Sequence, residues 1–127
     1  MNPFQDAMIQ TTGLHSTFDK RIACKGSRIV REKTYNYFYN PMWSFYGEYG
    51  KGDVNGTYYK PVNKPVDFGW NMFDQVLVRP SLLANVFDES SLKIITQIGS
   101  VNLLNNNNVI KKGLSDHLPI EFNLNNI

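Results

Sequence analysis

Turn-forming residues recur so often along this chain that no regular element can run far. Asn40-Pro41, the glycines at 47, 50, 52 and 56, then Pro61, Pro65 and Arg79-Pro80 each interrupt the backbone pattern. A residue before proline avoids the helical region, and glycine favours tight turns. The pieces between these breaks are rich in β-branched and aromatic residues. The expected product is short strands joined by short helices and loops, an α+β arrangement with one layer of sheet.

The start reads as a helix: Asn2 is a good N-cap, Pro3 suits the first helical position, and Asp6 favours the positive end of the dipole. Phe4, Ala7, Met8 and Thr11 share a face at helical spacing, and Gly13 supplies a stop. A second short helix is expected within residues 16 to 25. Arg28 to Tyr39 predicts one long strand, with Tyr35, Tyr37 and Tyr39 on alternate positions. Met42 to Tyr46 predicts a short aromatic helix, 47 to 56 a turn-rich loop, and Gly56 to Tyr59 a brief strand. Met72 to Val78 is the clearest strand, followed by Leu92 to Thr96 and Leu118 to Leu124, with a polar loop at Asn105 to Asn108.

Composition narrows the class. Of 127 residues (14.6 kDa), 42% are hydrophobic and 19% charged, which is globular rather than disordered. The apolar stretches are too short to span a membrane, and Met1 opens no secretory signal. A lone Cys24 excludes an internal disulfide and is compatible with the cytoplasm, although the compartment stays open. With His15 and His117 it makes only three scattered zinc-type ligands.

Charge is informative locally. Lys20 to Lys33 holds six basic residues against Glu32, a +5 segment in a chain of net charge +2, leaving −3 for the remainder. A basic stretch running into aromatics suits phosphate contact and base stacking, and equally a solvated helix face and strand edge. Eight of the seventeen aromatics fall between Tyr35 and Tyr49, a pattern open to core packing or to stacking. His15 is isolated and reads as a surface residue. Cys24 neighbours basic residues that could lower its pKa, yet a lone thiol is commonly just packed or exposed.

One motif stands above this background. Ser115-Asp116-His117-Leu118-Pro119-Ile120 sets a carboxylate beside an imidazole just before an apolar strand. A histidine there can donate to a phosphate oxygen or move a proton, given an acceptor for its other nitrogen. Asp74 interrupts the apolar run Met72 to Val78, sharing parity with Met72, Val76 and Val78. It is either an outward carboxylate on a half-exposed strand or a buried acid needing a partner, for which His117 is the obvious candidate.

These segments resemble the C-terminal half of the endonuclease/exonuclease/phosphatase superfamily, the metal-dependent phosphoesterases that include DNase I and exonuclease III. Ser115 to Ile120 is similar to the closing S-D-H-x-P-[VI] motif, and Phe73 to Val78 to the family strand around a central aspartate. Met1 to Phe4 resembles the residues just after the family's G-D-F-N motif, and 39–43 and 56–58 resemble intervening segments. The resemblance implies that His117 contacts the scissile phosphate, that Asp74 orients its imidazole, and that Asp116 lies near a metal. Mg2+ or Mn2+ is the implied cofactor. Met72 and Gln75 depart from the family pattern, so those two positions carry no role.

The implied fold is a DNase I-like, four-layered α/β sandwich, of which residues 1–127 would form one half. The metal-holding glutamate, the first histidine, an early asparagine and the G-D-F-N pair would lie in the missing N-terminal half. The chain is therefore expected to be inactive alone, with a phosphoester as the parent's substrate and the basic segment pointing toward nucleic acid. Trp70 and Trp43 are the expected substrate-facing aromatics. The alternative is a noncatalytic binding module that keeps the half-fold and forms a homodimer through its exposed sheet face.

Overall fold

The computed structural model describes residues 1–125. It has a mixed α+β arrangement in which short strands predominate and short helices sit at the connections. Helix α1 spans Asp6–Ile9, so it starts after Gln5 rather than after Asn2. Asn2 is engaged elsewhere: its Oδ1 accepts from the Met72 amide at 2.6 Å and its Nδ2 donates to Asn71 Oδ1 at 3.0 Å. Of the expected apolar face only Met8 is buried. Gly13 closes the segment because the chain passes tightly over it; a Cβ there would lie 2.4 Å from the Ala7 carbonyl oxygen.

Strand β1 (Ser16–Thr17) leads to helix α2 (Lys20–Ala23), within the predicted window. Asp19 caps α2 by accepting from the Arg21 amide, and the Arg21 guanidinium also binds it, drawing its carboxyl down to about 2. The long strand expected from Arg28 to Tyr39 is instead a hairpin. Strand β2 (Ser27–Val30) turns at Arg31-Glu32 into β3 (Lys33–Asn36), pairing Val30 with Lys33 and Ser27 with Asn36. Both turn residues have positive φ, 48° and 65°, the conformation that two-residue hairpins need to match strand twist. Neither is Gly or Asn, so the turn carries no compositional mark. After Tyr37, β4 (Phe38–Tyr39) runs parallel to β1.

Helix α3 (Trp43–Gly47) follows Pro41 as expected, and turns occupy 48–56. Strand β5 (Tyr58–Tyr59) pairs antiparallel with β6 (Trp70–Asn71). The predicted strand from Met72 to Val78 is not a ladder: only Val78 bridges, to Tyr39. Side chains take over its backbone groups. Thr57 Oγ1 accepts from the Phe73 and Asp74 amides, and Gln75 Nε2 donates to the Met72 carbonyl while its Oε1 accepts from Asn40. A one-turn 3-10 helix, Pro80–Leu82, then leads to β7 (Phe87–Ile94), which starts five residues before the predicted Leu92.

The exposed hairpin β8 (Gln97–Ile98) and β9 (Val101–Asn102) precedes the asparagine turn, where Asn105 Oδ1 accepts from the Asn107 amide. Strand β10 (Ile120–Leu124), two residues shorter at its start than predicted, pairs antiparallel with β7, with Glu121 opposite Lys93 and a bulge in β7 where residues 89–92 face the single Phe122. Among the described residues the strands thus form five two-stranded pairs, four of them antiparallel, rather than one sheet layer.

Two apolar clusters hold these pairs together. Met42, Phe45, Met72, Val78, Phe87 and Leu92 form one; Val54, Trp70, Leu104 and Leu118 form the other. Ile94 packs against both. No helix among the described residues is long and apolar enough to cross a membrane.

Candidate functional site

The site is built around Thr57, which is fully buried, at 0% exposure. Its amide donates to the Asn71 carbonyl at 3.0 Å, and its carbonyl accepts from the Leu118 amide at 2.8 Å. Its hydroxyl oxygen takes the amides of Phe73 at 3.2 Å and Asp74 at 3.1 Å. One residue therefore ties together the segments that carry Asp74 and His117. Gly56 permits this closeness, since a Cβ on it would lie 2.6 Å from the Asn71 carbonyl oxygen.

The result is a direct pair: His117 Nδ1 lies 2.6 Å from Asp74 Oδ2. An ionised carboxylate can only accept, so Nδ1 carries the proton and Nε2 is left for an outside partner. Burial alone would raise the Asp74 carboxyl. The Thr57 hydroxyl, His117 and the Asp74 amide outweigh it and hold the group below its ordinary value. Both side chains remain half-exposed, at 37% for His117 and 42% for Asp74.

Two rings brace the imidazole. Tyr58 and Phe73 stack at 5.2 Å between centroids, and His117 lies 5.1 Å from Tyr58 and 6.3 Å from Phe73. The loop before it is shaped by Ser115, whose hydroxyl accepts from the His117 amide at 3.2 Å. Leu118, immediately after, is 1% exposed and anchors the histidine to the second apolar cluster. A neutral Nε2 so presented can accept a proton; the protonated ring can donate to an anionic oxygen.

The other candidates fall elsewhere. Asp116 is exposed at the mouth of a concavity beside the pair and makes no ion pair among the described residues. No group of three or more His, Cys, Asp or Glu side chains among those residues could hold a metal. Asp116 by itself is one hard oxygen donor, and Asp74 is committed to His117, so the described residues do not fit a resident Mg2+ or Mn2+. Trp70 lies in the second cluster at 9% exposure, edge-on to Tyr59, and lines a different concavity from the one beside the pair. Trp43 packs on Phe18 and lines a separate concavity with His15.

His15 corrects the sequence reading, being 5% exposed rather than on the surface. It stacks on Tyr35 at 4.3 Å, and its Nδ1 accepts from Arg28 Nε at 2.8 Å. Burial first, then the Arg28 charge, lowers its pKa against a weaker opposing pull from the Thr11 carbonyl. The basic segment lies on α2 and the β2–β3 hairpin, and none of its residues lines the concavities bordering His117. The aromatic-rich segment is divided: Tyr39 and Phe45 are buried, Phe38 lies under the Arg79 guanidinium, and Tyr49 is in solvent. Tyr39 also donates to Glu89 at 2.5 Å; burial and then that carboxylate raise its pKa, and Lys20 pairs with the same Glu89. Cys24 is exposed and free.

Sequence reasoning missed Thr57, Tyr58 and Phe73 as site residues. The available signal was a small Gly56-Thr57 pair placed directly before two tyrosines. Comparison with protein-family models, curated proteins and solved structures found no match to this chain.

Proposed function

We propose that the chain is the C-terminal portion of a metal-dependent phosphoesterase, a nuclease or phosphatase of the endonuclease/exonuclease/phosphatase type. The observation that carries this reading is the 2.6 Å contact between His117 Nδ1 and Asp74 Oδ2. It joins residues 43 positions apart, the two that the sequence motifs select for phosphate contact and imidazole orientation. In this reading His117 Nε2 meets a non-bridging phosphate oxygen, and Asp74 keeps the ring in the tautomer that allows it. The finer architecture proposed is half of a DNase I-like sandwich, supported by the predominance of antiparallel pairs with short helices.

The metal, Mg2+ or Mn2+, and the groups that activate water are proposed for a longer parent protein. Hydrolysis of bis-p-nitrophenyl phosphate by this chain alone, with Mg2+ present, should be undetectable. Turnover that disappears in His117→Ala would overturn the half-site assignment. Inorganic phosphate should shift the His117 imidazole nitrogen resonances in NMR, and no shift at tens of millimolar phosphate (about the range of weak anion sites) would remove the phosphate role.

A second reading, a noncatalytic module that self-associates, is favoured by one observation. β10 leaves Phe122 and Leu124 exposed along its pairing with β7. Light scattering across a hundredfold range of concentration should then show dimer, and monomer throughout would sink this alternative.

A further inference from the structure

The concavity next to the Asp74–His117 pair has the composition of a ligand subsite. Its volume, 790 Å³, lies within the range of small-molecule sites. Tyr58 belongs to both, lining the concavity while its ring lies 5.1 Å from the imidazole. Ile110 and Leu114 line it too, and Leu114 is left 60% exposed, an apolar side chain held in water at the rim. Lys111 and Lys112 supply positive charge and have no ion-pair partner among the described residues. Asp116 is the one acid in the lining.

The geometry points to a nucleotide-class ligand, whose flat ring would lie on the Tyr58 side and whose phosphate would be held by Lys111 and Lys112. A planar ring suits an aromatic and aliphatic wall, because every base has an apolar π-face. Two such ammonium groups match the charge of one phosphate. The same lysines would repel the cation of a choline headgroup. A polyphosphorylated polyol would need more cations and would waste the apolar wall. The inference rests on the phosphoester reading for its choice of a phosphate-bearing ligand, and it sets the ring, on the Tyr58 side, next to the histidine site. It also brings the nucleic-acid preference to a different part of the chain from the Lys20–Lys33 segment.

Calorimetric titration of the whole chain with adenosine 5′-monophosphate, adenosine, inorganic phosphate and phosphocholine tests it. The monophosphate should bind about tenfold or more tighter than the other three, a gap expected when ring and phosphate contacts act together. Lys111→Ala/Lys112→Ala should remove that advantage while leaving adenosine binding unchanged and the thermal melt at its wild-type temperature. Equal affinity for phosphocholine and the monophosphate, or an unaltered monophosphate Kd in the double variant, would overturn the subsite. The two readings separate cleanly. Monophosphate binding with no phosphate response at His117 keeps the subsite and removes the phosphoesterase assignment. A phosphate response at His117 with no monophosphate preference does the reverse.

Discussion

Thr57 has three backbone or side-chain roles at once, so its hydroxyl can be removed with little change of shape to expose one of them. Thr57→Val deprives the Phe73 and Asp74 amides of their acceptor, and unsatisfied donors in a part-buried setting cost about 1–3 kcal/mol. Thr57→Ser keeps the oxygen and loses one methyl, a cost of about 1 kcal/mol. Urea unfolding should show the larger loss in Thr57→Val; a Thr57→Val variant as stable as the wild type would show that the hydroxyl is idle. Asp74 offers a pH test. Its folded pKa is depressed, so the stabilisation it contributes is complete above the unfolded value of about 3.9 and is lost as pH falls through the folded value. Asp74→Asn should therefore flatten the acid limb of a stability–pH curve, and the wild-type and variant curves should converge at low pH. Because the side chain is 42% exposed, solvent screening keeps the effect small. A curve for Asp74→Asn that falls as steeply in acid as the wild type would show that the pair contributes nothing.

At the scale of elements, the site depends on how closely β5 and β6 approach. Gly56→Ala would drive a Cβ into the Asn71 backbone, within 2.6–2.9 Å of three atoms. Backbone cannot swing aside as a flexible side chain can, so a loss of about 1–3 kcal/mol is expected. The same shift would carry Thr57 away from Asp74. The downfield proton of the His117–Asp74 hydrogen bond should broaden or vanish in NMR, whereas its survival in a destabilised Gly56→Ala would separate packing from the site.

Element existence was legible where punctuation was strong. Pro41 set the start of α3, the glycines marked a loop that the structure begins one residue later, at 48, and the strand expected over Leu118 to Leu124 is present as β10 from Ile120. Two elements were not legible, for different reasons. The Arg31-Glu32 turn uses positive φ without Gly or Asn, so only the pairing of Val30 with Lys33 reveals it. Residues 72–77 have strand composition, but Asn2, Thr57 and Gln75 side chains satisfy backbone groups that a neighbouring strand would otherwise take. Propensity cannot register a competitor that is distant in sequence.

Over the whole molecule, the two apolar clusters meet at Ile94, which packs on both. A shared residue at the end of an eight-residue strand couples their loss, so unfolding should be a single transition. In a Trp43→Phe background, Trp70 reports the second cluster, and its emission should change at the same temperature as far-UV circular dichroism. Separated transitions would show two independent units. Asp74 follows Met72 of the first cluster by two residues, and His117 directly precedes Leu118 of the second. Unfolding of either cluster should therefore abolish the site.

Local chemistry along the chain was enough to set the α+β class, the short elements, and the choice of Asp74 and His117, because turn residues and an acid in an apolar run act on their immediate neighbours. It could not place Trp70 in the core or His15 beside Arg28, since burial is decided by which distant segments close over a side chain. Nor could it show the hydroxyl that ties both halves of the pair together. Folding alone brings Thr57 against the Phe73 and Asp74 amides and the residue after His117, and hydrogen bonds of that kind depend on separations of about 3 Å that no spacing along the chain encodes.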